Sequence, residues 1–388
     1  MGNPSPTVTP TGNSRMDSDR STLEAQGTRS SLPFVPSRFA IVPFLALIAL
    51  ALSWVFPLGL IVGFVLSVML LLAVLASIHH AEVVAHRVGE PFGTLVLAVA
   101  VTVIEVALIV ALMIAGGESA NSLARDTVFA AIMIVCNGVV GLCLVLGGMK
   151  HGALAFRVEG TSPALASLAA LAGLALVLPS FTTTTAGPTY SGSQLVFAGI
   201  TSLALYGVFV FVQNFRHRDY FLPVGIADED AHAEPPTTPV AWMSFGLLLV
   251  SLVGVVGLAK ALAPALEAGV HAIGAPESLA GVVIALLVLL PETGAAIRAA
   301  RNNRMQSSLN LALGSGLASI GLTIPVVAAV SPFFDFPLVL GLPSMQIVML
   351  VLTMIVGTLT LSSGRATVLQ GAVHLVLFAA FLFLAVVP

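Results

Sequence analysis

The sequence predicts an all-α polytopic membrane protein with about eleven transmembrane helices, one additional N-terminal helix followed by two inverted five-helix repeats. Three observations support this fold class. Of the 388 residues, 57% are hydrophobic and only 9% are charged, whereas charged residues make up roughly 25% of an average soluble domain. Apolar stretches of membrane-spanning length recur from about residue 39 to the C-terminal end. A single long polar stretch divides them into two groups.

Eleven apolar stretches have the length of a membrane-spanning helix. They cover approximately residues 39–56, 58–78, 94–115, 127–147, 163–184, 192–213, 240–262, 278–300, 306–330, 341–361 and 366–387. The ninth stretch contains three glycines and Pro325, and we expect these residues to loosen its helix and free main-chain carbonyls. Residues 1–35 are rich in Ser, Thr, Pro and Gly, a composition that predicts a disordered tail.

The polar, Pro-rich and locally acidic segment 214–239 predicts a cytoplasmic linker between two groups of helices. The first span, residues 36–57, stands apart as an additional helix. Five spans then lie in residues 58–213 and five in residues 240–388. Because five is odd, the second group must enter the membrane with the opposite polarity, which is the signature of an inverted-topology repeat.

The distribution of basic residues predicts the orientation, because Lys and Arg in loops are retained on the cytoplasmic side. With a cytoplasmic N-terminus, thirteen of the fifteen Lys and Arg residues fall inside, and only Arg125 and Lys260 fall outside. We therefore expect the N-terminus in the cytoplasm and the C-terminus outside. The scattered basic residues and the net charge of −3 form no basic face, which argues against nucleic-acid binding.

Two glutamates lie inside the predicted spans. Glu105 is about eleven residues from either end of its span, and Glu292 follows the apolar run LAGVVIALLVLLP. A carboxylate at mid-bilayer costs roughly 2.5–3.5 kcal/mol, so such residues usually have a partner or a function. Each glutamate lies on the second span of its group of five, at a depth that reaches the middle of a core about 30 Å thick. We predict that Glu105 and Glu292 form an ion-binding and proton-carrying site; the simpler alternative is a protonated glutamate making one interhelical hydrogen bond.

The neighbouring residue types indicate which cation such a site would transport. Hard cations bind oxygen, and Ca²⁺ takes six to eight ligands, of which two glutamates supply up to four. The predicted supporting ligands are Thr102, Asn137, Ser315 and Ser319. Two like charges in a low-dielectric site favour protonation while the site is empty, so a bound dication would expel protons. This competition predicts an antiporter with no cofactor, for which Ca²⁺, or Na⁺ or K⁺, and H⁺ are the substrates.

Two stretches resemble the signatures of a known family. EVVAHRVGEPFGTLVLAVAVTVIEVALIV is similar to the first signature of the cation/proton exchangers of the cation/calcium exchanger superfamily, and PETGAAIRAARNNRMQSSLNLALGSGLASIGLTIP is similar to the second. The second stretch resembles the bacterial ChaA-type calcium/proton antiporters more than the vacuolar ones. This resemblance places the family's ion-binding acids at Glu105 and Glu292 and its helix asparagine at Asn137. It implies a bacterial inner membrane protein surrounded by lipid, with no oligomeric state indicated.

The sequence departs from the wider family next to both acids. Val101 and Thr102 replace the Gly-Asn pair before the first acid, and Val288 and Leu289 replace it before the second. Fewer amide oxygens are therefore present, and Na⁺ or K⁺ becomes an alternative to Ca²⁺ as the transported cation. A sodium/calcium exchanger is a further alternative on the same fold.

Other polar groups lie near the predicted cytoplasmic side. His79 and His86 follow the second span, and a role in pH sensing competes with simple solvation. Glu90 precedes the third span and could relay protons towards Glu105. The acidic run from Asp228 to Glu234 resembles the acidic loop between the family's repeats; its simpler interpretation is a solvated linker.

The sequence argues against other classes of protein. An intramembrane hydrolase needs a Ser/His dyad, an Asp pair or a metal triad in the bilayer. His374 is the only histidine inside a predicted span, and no aspartate lies in one. No phosphate-binding loop is present, so the driving force is expected to be an ion gradient. A channel remains an alternative. Stoichiometric counter-movement of protons would distinguish the antiporter from a channel.

Overall fold

The structure is a computed structural model that describes residues 38–56, 59–89, 92–222, 236–272, 278–333 and 337–387, together with Gly274 and Pro276. The predicted disordered tail at residues 1–35 lies outside the described residues, as do Glu90 and the acidic run of the linker. The division of the chain into a tail, an additional first helix, two five-helix groups and a linker between them remains a prediction.

Eleven helices make up most of the described residues. They are α1 (Arg38–Ser53), α2 (Leu60–Val88), α3 (Phe92–Gly116), α4 (Leu123–His151), α5 (Val158–Ser180), α6 (Gly192–Arg216), α7 (Thr238–Ala272), α8 (Ser278–Arg301), α9 (Met305–Val330), α10 (Ser344–Leu361) and α11 (Val368–Val386). Among the described residues, the ten helices α2 to α11 are long and apolar enough to cross a membrane, whereas α1 has 16 residues. The all-α polytopic fold class is confirmed.

Most helix boundaries lie within a few residues of the predicted ones. The second helix is a clear exception, because it continues from the expected end at residue 78 to Val88 and so includes the histidine-rich segment. The sixth continues to Arg216 through a π-helical turn, Val212–Arg216, whose last three residues the prediction assigned to the linker. Two helices begin with a capping residue: the main-chain N–H of Ser191 donates to Gln194 at 2.9 Å, and that of Thr367 donates to Gln370 at 2.7 Å.

The expectation that α9 is loosened is wrong. Met305–Val330 is one continuous α-helix despite its glycines and Pro325. The glycines allow close packing instead: a Cβ atom at Gly321 would lie 2.7 Å from Cβ of Tyr206 on α6. The irregular, π-helical turns lie in other helices: Ile134–Val139 in α4, Gly173–Val177 in α5 and Val212–Arg216 in α6.

The two groups of helices are related as an inverted repeat requires. Helix α4 packs against α11, and α9, its counterpart in the second group, packs against α6. The connection after α4 pairs with the one after α10, as the antiparallel strands β1 (Leu154–Ala155) and β2 (Arg365–Ala366). At the opposite end of the bundle, Thr189 after α5 forms a bridge with Val339 after α9. The first pairing joins the connections after α4 and α10, and the second joins their counterparts after α9 and α5, so the two pairings correspond to each other.

We name the two ends of the bundle after basic residues. The end with β1 and β2 is the Arg365 face, and the end with the Thr189–Val339 bridge is the Arg125 face. Arg125 belongs to the latter because its guanidinium donates to the carbonyl of Gly341 at 3.2 Å.

Candidate cation site

Glu105 is buried at the centre of the bundle. It lies in the middle of α3, and its side chain is only 4% exposed. The hydroxyl of Ser319, on α9, donates a hydrogen bond of 2.5 Å to Oε1 of Glu105. Because α3 belongs to the first group of helices and α9 to the second, the structure brings together two predicted site residues from opposite groups.

Glu292 lies near the middle of α8 and is half-buried. Its Oε2 atom is buried, and no hydrogen-bond partner for it occurs among the described residues. Its charge interacts with those of Glu105 and Glu82. A buried carboxylate oxygen without a partner is costly, so this oxygen is available to accept a hydrogen bond or a cation.

Other oxygen atoms lie about one helical turn along the chain from Glu105, Ser319 and Glu292. Thr102 lies one turn before Glu105 and is buried, and its hydroxyl donates to the carbonyl of Ala98 at 2.9 Å, which leaves the oxygen free to accept. Ser315 lies one turn before Ser319 on α9 and is half-buried. Pro291 has no N–H, so helix α8 lacks the donor that would pair with the carbonyl of Leu287, one turn from Glu292.

Asn137 belongs to a different cluster. Its Nδ2 donates to the hydroxyl of Thr353 on α10 at 2.8 Å, and its Oδ1 lies 3.2 Å from Nδ1 of His374 on α11. Both ends of the amide therefore bond to α10 and α11 and to neither glutamate. The structure brings together Glu105 and Ser319 but not Asn137.

The histidines of α2 contact the first helix. The ring of His79 stacks on Phe39 with centroids 4.6 Å apart, and Nε2 of His80 lies 3.2 Å from the carbonyl oxygen of Phe39. His86 is exposed nearer the end of α2. These contacts attach α1 to α2, and a role of His79 or His86 in pH sensing stays a prediction.

Sequence reasoning missed the relation of Glu82 to the site. The prediction ended the second span before it, but α2 continues, and the charge of Glu82 interacts with Glu292, Arg298 and His79. Glu82 is therefore close enough to Glu292 and to Arg298 for its charge to interact with both. Extending the predicted second helix beyond residue 78 would have included Glu82 in it.

A cavity of about 600 Å³ opens on the Arg125 face between α4, α8, α10 and α11. Its polar wall includes the Arg125–Asp126 ion pair, with Nε and Oδ1 2.8 Å apart. Asp126 is 3% exposed and lies in the first turn of α4. Helix α4 begins at Leu123, four residues earlier than predicted, and therefore includes Asp126. The prediction that no aspartate lies within a span is wrong for this residue.

The described residues contain no group of three or more His, Cys, Asp or Glu side chains arranged to hold a metal ion. The groups at the candidate site are the carboxylates of Glu105 and Glu292 and the hydroxyl of Ser319, which are oxygen ligands. Such ligands suit hard cations and not zinc or copper.

Ten membrane-length helices in two interlocked groups, with a carboxylate from each group near mid-bundle, define a polytopic membrane protein of the secondary-transporter type. The chain belongs to the sodium/calcium exchanger protein family, whose model matches residues 55–215 and 243–387. The resemblance stated from the two signatures is thereby confirmed.

Three proteins illustrate the similarity. The protein y4hA of Sinorhizobium fredii is 52% identical over 344 residues, which cover 88% of this chain and 93% of that protein. The sodium-potassium/proton antiporter ChaA of Escherichia coli is 36% identical over 349 residues, covering 88% of this chain and 94% of ChaA. The crystal structure of the H⁺/Ca²⁺ exchanger CAX has a TM-score of 0.66 at 18% identity, covering 89% of this chain and 86% of that one. The last comparison supports the fold alone.

Proposed function

We propose that the protein is a secondary cation/proton antiporter whose transported ions compete at Glu105 and Glu292. The observation that carries this proposal is the asymmetry of the two carboxylates. Glu105 accepts a hydrogen bond from the opposite group of helices, whereas Oε2 of Glu292 is buried and without a partner among the described residues. Similarity to the antiporter ChaA supports the same class of transport.

The exchange follows from charge balance. With both carboxyl groups protonated, the site is neutral and its burial is inexpensive. A cation can bind only when protons leave, because the carboxylates are its ligands. One monovalent cation replaces one proton, or one divalent cation replaces two, without a net change of charge in the site. Access from one face at a time then couples the two fluxes.

Sodium or potassium is the cation that the surroundings of the site favour. The Gly-Asn pairs of the wider family are absent before both acids, and the amide of Asn137 is bonded elsewhere, so the site lacks the amide oxygens of that family. The name of ChaA indicates sodium and potassium as well. Calcium is the second candidate, because two carboxylates match a dication and Ca²⁺ prefers oxygen ligands. A sodium/calcium exchanger has the least support, because it would not require proton-carrying acids.

We further propose that the protein lies in the bacterial inner membrane with its Arg365 face in the cytoplasm. The basic residues of the loops support this orientation, because all but Arg125 and Lys260 fall on the predicted inner side. Extrusion of the cation would then be driven by proton entry.

The experiment is an exchange assay in liposomes that contain the purified protein and an internal pH dye. Potassium, sodium and calcium are added in turn, each at fixed membrane potential. The proposal predicts that at least one of the three ions, added outside, enters in exchange for protons and raises the pH of the lumen. Cation flux without proton movement would indicate a channel, and calcium flux driven by sodium at constant internal pH would indicate a sodium/calcium exchanger.

A further inference from the structure

A second buried polar cluster joins α4, α10 and α11. It consists of Asn137, Thr353, Thr360 and His374, none more than 2% exposed. Nε2 of His374 lies 3.1 Å from the hydroxyl of Thr360, and Nδ1 lies 3.2 Å from Oδ1 of Asn137. Thr353 and Thr360 are two turns apart on the same side of α10. The proposed exchange does not use this cluster.

One assignment of donors and acceptors satisfies the hydrogen bonds of the cluster. The hydroxyl of Thr353 donates to the carbonyl of Met349 at 2.8 Å, so it accepts from Nδ2 of Asn137. The Oδ1 atom of Asn137 then faces His374 and requires a donor, which is the Nδ1–H of the imidazole. Nε2 is left to accept from the hydroxyl of Thr360, so the ring is neutral.

The cluster does not have the composition of a proton pathway. Its chain of hydrogen bonds includes the amide of Asn137, which does not readily release a proton. The chain ends at the carbonyl of Met349. A chain of this kind fixes side chains and does not conduct protons. Its physical effect is to order the groups that it joins.

The group that is fixed is the π-helical turn of α4. Asn137 lies within Ile134–Val139, and His374 also contacts the main chain of Cys136 in the same turn. Gly371, one turn before His374, holds α11 close to α4, since a Cβ atom there would be 2.8 Å from the main-chain nitrogen of Val145. His374 is therefore pressed against the one irregular turn of α4.

The same part of α4 packs against the helices of the cation site. Val135 contacts Gly316 on α9, where a Cβ atom would lie 3.5 Å from its side chain. Nearer the N-terminal end of α4, Gly281 of α8 packs against Asp126. A Cβ atom at Gly281 would lie 2.8 Å from the main-chain carbon of Asp126. Helix α4 therefore lies between the His374 cluster on one side and the helices that carry Glu292 and Ser319 on the other.

We propose that His374 is a positioning residue for transport, which fixes Asn137 and the π-helical turn of α4 and thereby sets the affinity of the site between α8 and α9. This role rests on the proposed cation/proton exchange. It requires that His374 act through Asn137, because Asn137 connects the imidazole to the π-helical turn.

The test is a set of variants in the liposome exchange assay, with the Michaelis constant for the cation and the maximal rate measured separately. His374→Phe keeps an aromatic ring of similar size but removes both nitrogen atoms. It is expected to raise the Michaelis constant about tenfold and to change the maximal rate less, since about 1.4 kcal/mol of lost positioning corresponds to a factor of ten. His374→Asn retains a donor near Nδ1 and is expected to stay within about threefold of the unmodified protein.

A double-mutant cycle with Asn137→Ala separates positioning from general stability. His374→Phe should have little further effect in the Asn137→Ala background if it acts through Asn137. Thr360→Val, which removes the donor to Nε2, is used in the same cycle if His374→Phe does not fold. Its matched control is Thr358→Val on the same helix, where the hydroxyl is exposed and bonds to the carbonyl of Met354 at 2.8 Å.

The outcomes distinguish this proposal from the proposed function. If the unmodified protein exchanges no cation for protons, the proposed function is wrong. If it does exchange but His374→Phe leaves the Michaelis constant unchanged, the His374 proposal alone is wrong. An equal and independent effect of His374→Phe in the Asn137→Ala background also contradicts it, because the imidazole would then not act through Asn137.

Discussion

The hydroxyl of Ser319 and the carboxylate of Glu105 meet across the boundary between the two groups of helices, with 2.5 Å between Oγ and Oε1. Ser319 lies on α9 and Glu105 on α3, so this contact joins elements that are 214 residues apart in sequence. A change in the charge of Glu105 therefore changes the strength of a hydrogen bond to α9. This contact links proton release in the proposed exchange to a helix of the opposite group.

Ser319→Ala is predicted to weaken cation exchange without abolishing it. The variant removes the only donor that the described residues provide to Oε1 of Glu105 and leaves the carboxylate itself in place. A hydrogen bond to a charged group contributes about 1.5–3 kcal/mol, so the Michaelis constant for the cation should rise about tenfold or more. The control is Ser331→Ala after α9, where the hydroxyl bonds only to the carbonyl of Ala328. Equal exchange by both variants would contradict a role for this contact.

Asp126→Asn is predicted to lower the stability of the protein. Asp126 is 3% exposed and accepts from Arg125 at 2.8 Å and from Ser122 at 2.8 Å. Loss of its charge leaves Arg125 without its carboxylate, at a cost of about 1–3 kcal/mol. Thermal unfolding in detergent should occur at a lower temperature than in Asp219→Asn, which changes an exposed aspartate at the other face. Identical unfolding temperatures would show that the ion pair contributes nothing.

Gly371→Ala is predicted to destabilise the packing of α11 against α4. The new Cβ atom would lie 2.8 Å from the nitrogen of Val145 and 2.9 Å from the carbonyl oxygen of Gly141, so the helices must separate. Overpacking of this kind typically costs about 1–3 kcal/mol. Gly207→Ala on α6 is the control, because its Cβ atom would meet nothing within 4 Å. A thermal unfolding temperature unchanged in Gly371→Ala relative to this control would contradict the close contact.

The sequence could predict much of the fold because the relevant physics is local in the chain. Apolar length determines that Phe92–Gly116 and Ser278–Arg301 can cross a membrane, and the parity of the spans predicts the inverted repeat. The cost of a carboxylate in an apolar stretch was enough to select Glu105 and Glu292. None of these inferences needs knowledge of which helices are neighbours.

The features that the sequence did not predict depend on which helices pack together, and a single sequence does not show this. Glycines in α9 were expected to loosen the helix, but Tyr206 and Val135 pack against two of them and the helix stays regular. Asn137 was expected near the glutamates, but the π-helical turn of α4 directs it to Thr353 and His374. A signal for the second cluster was present, because His374 and Thr353 are polar residues in apolar stretches. Their partners could not be identified without the structure.

The central claim is that Glu105 and Glu292 carry both protons and cation, and the most direct measurement is exchange by Glu105→Gln and Glu292→Gln in liposomes with an internal pH dye. Glu159→Gln is the matched control, because Glu159 is an exposed acid at the start of α5. We expect both site variants to insert and fold normally and to show no cation-dependent pH change above that of empty liposomes, while Glu159→Gln exchanges like the unmodified protein. Normal exchange by both site variants would contradict the account.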